Sequence, residues 1–286
     1  MIVLLRRHAS TRDIESVRGE LARLGASAKV LHGGERVAVR ASTYGPPLRA
    51  EARAALLALG CVDEVMVPPS EHPRLDGAPA KVVVAAPASA GAAIGAVTLG
   101  EKPIVLAAGP CTVDADVDEI ARQVKSVGGS LLRGGVWKAR TSPYQFAGGG
   151  SDALATLRAA GESHGLPIVV EVLDEHSLAE ALDHVALLQI GARNGQNHAF
   201  LRSVGQTGRP VLLKRHPGAT LDEWLLCAEH LLVAGCPGLV LCERGIRTFE
   251  PASRYTLDVA AIALAKAQVP APVFVDPSHA AGAHAT

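Results

Sequence analysis

Short runs of reactive side chains recur behind strand-length apolar segments between residues 104 and 279. Cys111 follows the first segment, and Arg133-Gly134-Gly135 closes the second, with Lys138, Arg140, Thr141 and Ser142 just beyond. Glu171, Gln189 with Arg193, Lys214-Arg215-His216, Glu243-Arg244 with Arg247, and Asp276-Pro277-Ser278-His279 end the others. A guanidinium grips phosphate or carboxylate through paired hydrogen bonds, and an ammonium adds a compact charge. Cations gathered on one rim repel one another strongly at low dielectric, so Arg133, Lys138, Arg140, Arg193, Lys214, Arg244 and Arg247 together predict resident anions. They exceed what one phosphate needs, which points to two anionic substrates or one substrate with two anionic groups. Taken singly, each is an ordinary solvated loop residue; the set carries the argument. Cys111 and His279 offer a thiolate and an imidazole, donors suited to a divalent metal such as Zn, Mn, Fe or Co.

Seven apolar segments position these groups: Ile104–Ala108, Ser130–Val136, Ile168–Val172, Ala186–Ile190, Val211–Leu213, Leu239–Cys242 and Val273–Val275. Helical patterns alternate with them over Val117–Val127, Ser151–His164, Ser177–Leu182, His198–Val204, Leu221–Ala234 and Tyr255–Ala267. Buried strands alternating with helices give a parallel sheet with right-handed crossovers. Seven such units with no GxGxxG after the first strand predict a (β/α) TIM-type barrel, with its reactive groups at the C-terminal strand ends. Gly148-Gly149-Gly150 reads as a flexible loop or a phosphate cradle, and Trp137 and Trp224 as packing residues.

Residues 1–68 carry a different pattern. Strands at Met1–Leu5, Ala28–Leu31, Arg36–Ala41 and Val62–Val67, with helices at Thr11–Leu24 and Arg49–Leu59, give the order βαββαβ of a ferredoxin-like α+β domain. Residues 69–100 read as a linker followed by a hairpin or barrel-bottom plug, Lys81–Ala85 with Ala96–Leu99, and residues 101–286 as the barrel. Lys+Arg and Asp+Glu balance at 28 each, so no global basic field draws the chain to nucleic acid or an anionic membrane. No apolar run reaches the roughly 18–20 residues of a membrane span. The N-terminus places apolar residues before its charges, the wrong order for a signal peptide. Five cysteines without a CxxC pair favour a reducing cytoplasm over a disulfide scaffold.

With these stretches assembled, the chain resembles the 3-deoxy-7-phosphoheptulonate (DAHP) synthases of the type I branch that carries an N-terminal ferredoxin-like domain. The matching motifs are Ala108-Gly109-Pro110-Cys111, Leu132-Arg133-Gly134-Gly135, Lys138-Ala139-Arg140-Thr141-Ser142-Pro143-Tyr144 and Gln189-Ile190-Gly191-Ala192-Arg193-Asn194. Leu213-Lys214-Arg215, Cys242-Glu243-Arg244-Gly245-Ile246-Arg247-Thr248-Phe249-Glu250 and Asp276-Pro277-Ser278-His279 follow in the family's order. The resemblance implies condensation of phosphoenolpyruvate with erythrose 4-phosphate, the first step of the shikimate pathway to aromatic amino acids. It implies Arg133, Lys138, Arg193, Lys214 and Arg244 for phosphoenolpyruvate, and Lys138, Arg140, Thr141 and Ser142 for the aldose phosphate. Glu171 would position the attacking water, and Cys111 and His279 would be metal ligands. A homotetramer and an aromatic amino acid effector at the N-terminal domain are further implications.

The sequence also departs from the family. Ala139 stands where a Pro is usual, and His216-Pro217 where a Gly is usual. Two more metal ligands, a Glu and an Asp, are expected on and after an eighth strand. The sequence given ends at Thr286, seven residues past His279, so a barrel lacking its last strand is expected. That shortening fits a fragment, a variant recruiting ligands from a partner chain or water, or a non-catalytic relative that binds phosphorylated metabolites. The Ala-rich tail makes His284 a poor substitute ligand. Ketodeoxyoctulosonate-phosphate synthase is the nearest chemical rival, and the Lys138–Ser142 loop, lacking that enzyme's usual Asn, favours errythrose 4-phosphate over the five-carbon aldose.

Overall fold

A computed structural model of the chain describes residues 1–34, 36–42, 50–67, 70–87, 94–250 and 252–281. The first four strands are β1 (Ile2–Leu5), β2 (Ser27–Gly33), β3 (Arg36–Ser42) and β4 (Val62–Met66), with helices α1 (Thr11–Arg23) and α2 (Ala50–Leu57). They pair antiparallel in the order β2-β3-β1-β4, the ferredoxin-like arrangement that the βαββαβ pattern predicts. A capping box between Ser10 and Asp13 starts α1. Its buried Val17 and Leu21 then meet Val3, Leu5, Val39, Leu56 and Val65 in a core separate from that of the barrel.

Helix α3 (Pro73–Asp76) lies in the segment read as a linker, and the carboxylate of Glu229 accepts hydrogen bonds from the amides of Arg74 and Leu75 at 2.9 and 2.8 Å. Strands β5 (Val82–Val84) and β6 (Val97–Leu99) form the expected antiparallel hairpin. The Ala/Gly stretch at 88–93 and His284 lie outside the described residues.

Seven parallel strands follow: β7 (Ala107–Ala108), β8 (Leu131–Gly134), β9 (Ile168–Val172), β10 (Leu187–Ile190), β11 (Val211–Lys214), β12 (Leu239–Glu243) and β13 (Val273–Val275). They pair in chain order as one curled sheet with β7 and β13 at its edges. Helices α4 (Val117–Ser126), α5 (Gly150–His164), α6 (Glu175–Ala181), α7 (His198–Gly205), α8 (Leu221–Val233) and α9 (Val259–Gln268) connect them. This is an open β/α barrel.

The two-residue strand period sorts side chains between the faces of this sheet. Leu132, Val170, Leu188, Leu213 and Leu241 join Leu157, Leu178, Leu201 and Leu225 of the helices in the outer core. Their strand neighbours Leu131, Val169, Leu187, Leu212 and Val240 turn inward and pack on Val82, Val84 and Leu99, so the hairpin supplies the floor. Two residues further along the same inward rows stand Arg133, Glu171, Gln189 and Lys214. An apolar floor therefore carries a polar layer above it.

Two expectations need correction. The strand expected over Ile104–Ala108 pairs only at Ala107 and Ala108, and Ile104 is 96% exposed, because hydrogen bonding comes from β8 alone. The helix expected over Tyr255–Ala267 begins at Val259, where the Asp258 side chain accepts from the Ala261 amide at 3.0 Å. All five cysteines are free. Among the described residues no helix is long and apolar enough to cross a membrane.

Candidate active site

The polar layer opens into a cavity of about 510 Å³ at the C-terminal strand ends. The residues expected to hold substrate, water or metal all line it: Cys111, Arg133, Lys138, Arg140, Thr141, Ser142, Glu171, Arg193, Lys214, Arg244 and His279; Arg247 does not. Trp137, Gln145, Arg254 and Tyr255 line it too and were not singled out as site residues. Seven of the lining residues are cations and one, Glu171, is a carboxylate.

Backbone and side-chain partners fix the directions of these cations. Arg133 donates to the Pro110 carbonyl at 3.2 Å and lies 3.8 Å from Glu171. Arg193 reaches across to the Ala139 carbonyl at 3.2 Å, and Arg140 donates from Nε to the Phe146 carbonyl at 3.1 Å. Lys214 pairs with Asp276 of the β13 end at 2.7 Å. Burial would push the Asp276 carboxyl up, but Lys214 and the Ser278 hydrogen bonds outweigh it and hold it far below the usual range. The loop after β8 returns through a bridge between Trp137 and Gly148, so the Gly148 backbone pairs with the loop's own strand end. Trp137 joins both the outer core and the cavity wall, whereas Trp224 is fully packed and donates to the Leu213 carbonyl at 3.3 Å.

Glu171 is oriented by Gln189, whose Nε2 donates to it at 2.8 Å. A Cβ on Gly191 would stand 1.8 Å from the same carboxylate, so only glycine leaves it in place. On the opposite side Lys138 donates to the Cys111 carbonyl and, at 3.0 Å, to its sulfur. That hydrogen bond, assisted by the charges of Lys138 and Arg133 against burial, holds the Cys111 thiol below its ordinary pKa. His279 sits in a 3-10 turn, Pro277–His279, with a buried Nδ1 that has no hydrogen-bond partner. Burial, then the nearby Arg244 charge, lower its pKa to about 4, leaving a neutral imidazole at neutral pH.

A thiol eased toward thiolate and a neutral imidazole with an unpartnered nitrogen fit the donor chemistry of a divalent metal. Among the described residues no group of three or more His, Cys, Asp or Glu stands at metal-binding spacing, so these two donors alone are identified.

Arg215 and Glu243 belong to a different network. Arg215 lies next to Lys214, yet its side chain turns behind the sheet to Glu243 and Asp258, both at 3.0 Å. Arg244, one residue past Glu243, faces the cavity with its guanidinium 4.4 Å from the Tyr255 ring centre. Arg247 is exposed at the surface.

Comparison with known proteins agrees with this geometry. Residues 83–285 match the DAHP synthetase I family. A phospho-2-dehydro-3-deoxyheptonate aldolase of Thermotoga maritima is 42% identical over 191 residues, 66% of this chain and 56% of that protein. The chain thus spans little more than half of that relative's length. A 2-dehydro-3-deoxyphosphooctonate aldolase of Syntrophotalea carbinolica is 30% identical over 63% of this chain and 68% of its own length. The crystal structure of a Thermotoga maritima DAHP synthase superposes with a TM-score of 0.66 and 33% identity, covering 97% of this chain and 79% of that one. The cation-lined strand ends and the extent of this match lead to one assignment: the chain belongs to the DAHP synthetase I family.

Proposed function

We propose that the protein condenses phosphoenolpyruvate with erythrose 4-phosphate and water to give 3-deoxy-D-arabino-heptulosonate 7-phosphate and inorganic phosphate, opening the shikimate pathway. The observation that carries this reading is the cavity's excess of seven cations over one carboxylate. Without anions those charges would repel one another across a partly desolvated space.

In this reading Arg133, Lys138, Arg193, Lys214 and Arg244 hold the phosphate and carboxylate of phosphoenolpyruvate. Lys138, Arg140, Thr141 and Ser142 receive the aldose phosphate. The enol carbon forms a bond to the aldehyde carbon, water adds to the neighbouring carbon, and phosphate departs with its bridging oxygen. Glu171, held by Gln189, positions the water. Fixed cations on rigid strand ends contribute by orientation and by stabilising charge. Cys111 and His279 would supply donors to Mn, Fe, Zn or Co, which when bound acts as a Lewis acid. The protein would work in the cytoplasm.

Phosphate release with erythrose 4-phosphate, compared with arabinose 5-phosphate, tests the substrate choice. Preference for the five-carbon aldose would replace this reading with that of the phosphooctonate relatives. Calorimetric binding of phosphoenolpyruvate without turnover at any divalent metal would instead support a non-catalytic phosphometabolite binder.

The separate hydrophobic core near the N-terminus supports a discrete unit there. A regulatory role for residues 1–68 in binding an aromatic amino acid, within a homotetramer, rests on the family resemblance. Inhibition by Tyr or Phe that survives deletion of residues 1–68 would refute that role. Sedimentation analysis gives the oligomeric state.

A further inference from the structure

Arg244 is buried, and no carboxylate of the described residues lies within ion-pair distance of it. A buried guanidinium without a counter-ion is costly unless something else compensates its charge. The compensating group is Tyr255, whose ring centre lies 4.4 Å from the guanidinium carbon. Burial would push the Tyr255 hydroxyl up in pKa, but Arg244 outweighs it and draws it down. Arg254 approaches the same ring at 5.7 Å, and the His279 ring meets it edge-on at 6.2 Å.

Local structure holds Tyr255 in this place. Ile246 and Thr256 exchange backbone hydrogen bonds of 2.8 and 2.9 Å, tying the segment after β12 to the segment before α9. The Thr248 and Thr256 hydroxyls add a contact of 2.8 Å. Gly245 has φ +101°, and a Cβ there would come within 2.8 Å of the Tyr255 Cβ. Glycine thus lets the ring settle against the turn that carries Arg244.

We infer that Tyr255 is a positioning residue for the anion site: its ring face holds the Arg244 guanidinium in the geometry that receives a substrate anion. This rests on the proposed function for the choice of phosphoenolpyruvate, but the positioning itself concerns any anion at that site. The ring is the working part. Its aromatic face attracts the Arg244 cation, and Arg254 stands over the same ring at 5.7 Å.

Calorimetric titration of the full chain with phosphoenolpyruvate, and separately with inorganic phosphate, tests the inference in wild type, Tyr255→Phe and Tyr255→Leu. Tyr255→Phe keeps the ring and should bind within about twofold of wild type. Tyr255→Leu should weaken binding about tenfold, equal to about 1.4 kcal/mol, within the range of a desolvated cation–π contact. In turnover assays KM for phosphoenolpyruvate should follow that loss while kcat stays within about twofold.

Unchanged binding in a folded Tyr255→Leu would overturn the inference. Equal losses in the Phe and Leu variants would overturn it too, by moving the effect to the hydroxyl. A wild type that binds phosphate but not phosphoenolpyruvate would sink the proposed substrate alone, and the phosphate ratios would still read the positioning. A wild type that binds neither would refute both. Should Tyr255→Leu not fold, the Arg244 Nε–H resonance, assigned by its loss in Arg244→Lys, keeps the question decidable. It should carry a ring-current shift in wild type and Tyr255→Phe, and its absence in wild type would count against the ring contact.

Discussion

Lys214 and Arg215 are adjacent in sequence and opposite in fate, as are Glu243 and Arg244. Lys214 and Arg244 face the cavity, where cations outnumber carboxylates. Arg215 and Glu243 turn behind the strands into a network closed by Asp258, with Arg215 also donating to the Ala219 carbonyl at 3.1 Å. The remaining Glu243 oxygen accepts from the Gly245 amide at 2.7 Å. Behind the sheet every charge is answered by the protein. In front of it Lys214 pairs with Asp276 and Arg133 lies 3.8 Å from Glu171, but no carboxylate of the described residues stands within ion-pair distance of Arg140, Arg193, Arg244 or Arg254. The difference separates cations that stabilise the fold from cations that serve binding, although the residue types are the same.

That contrast breaks down if the rear network is dispensable. Arg215→Met leaves Glu243, which is fully buried, without its cation and should cost about 3–5 kcal/mol of stability, measured by urea denaturation. Arg193→Ala in front should change stability by no more than about 0.5 kcal/mol. The same substitution should weaken phosphoenolpyruvate about 100-fold by calorimetry, the scale of losing charge-assisted hydrogen bonds. Equal destabilisation by both variants would erase the distinction.

Cysteines sharpen the comparison. Cys111 is exposed in the cavity and lowered by Lys138, whereas burial pushes Cys242, within the sheet, up to about 12. The thiolate is the reactive form, so a lowered pKa means faster alkylation near neutral pH and a raised one slower. At pH 8 iodoacetamide should modify Cys111 about 100-fold faster than Cys242, with phosphate protecting Cys111. Peptide mapping reads both sites. The smallest effect concerns Glu171, the carboxylate among the lining cations. Glu171→Gln removes a negative charge near the anions and should tighten phosphate binding about threefold while turnover falls.

Much of the fold was legible in the sequence because strand and helix periods alternate cleanly from Ser130 to Val275. Motifs directly behind those strands were legible as a site because a β/α barrel brings such ends together. Tyr255 was not, since apolar residues after Leu257 allowed the helical pattern to run backward to it, and Arg254 directly precedes that pattern with no strand end to mark it. Asp258 carried the missing signal, an N-cap that starts α9 at Val259 and leaves Tyr255 in the preceding loop. Ile104 failed for a different reason: apolar composition proposes a strand, but only a hydrogen-bonding neighbour completes one. The side on which Arg215 falls follows from alternation past Leu213, a two-residue count that strand-end reasoning alone does not make.

The stacked rows of the inner face bear on how such a protein changes over evolutionary time. Leu131 and Arg133, Val169 and Glu171, Leu187 and Gln189, and Leu212 and Lys214 share strands and directions, yet the first of each pair packs with the hairpin and the second belongs to the polar layer. There Arg133, Glu171 and Lys214 line the cavity and Gln189 supports Glu171. Replacing an upper residue can retune chemistry while the hydrocarbon seal beneath it persists. New specificities can therefore be sampled one strand at a time, without each trial risking collapse of the scaffold.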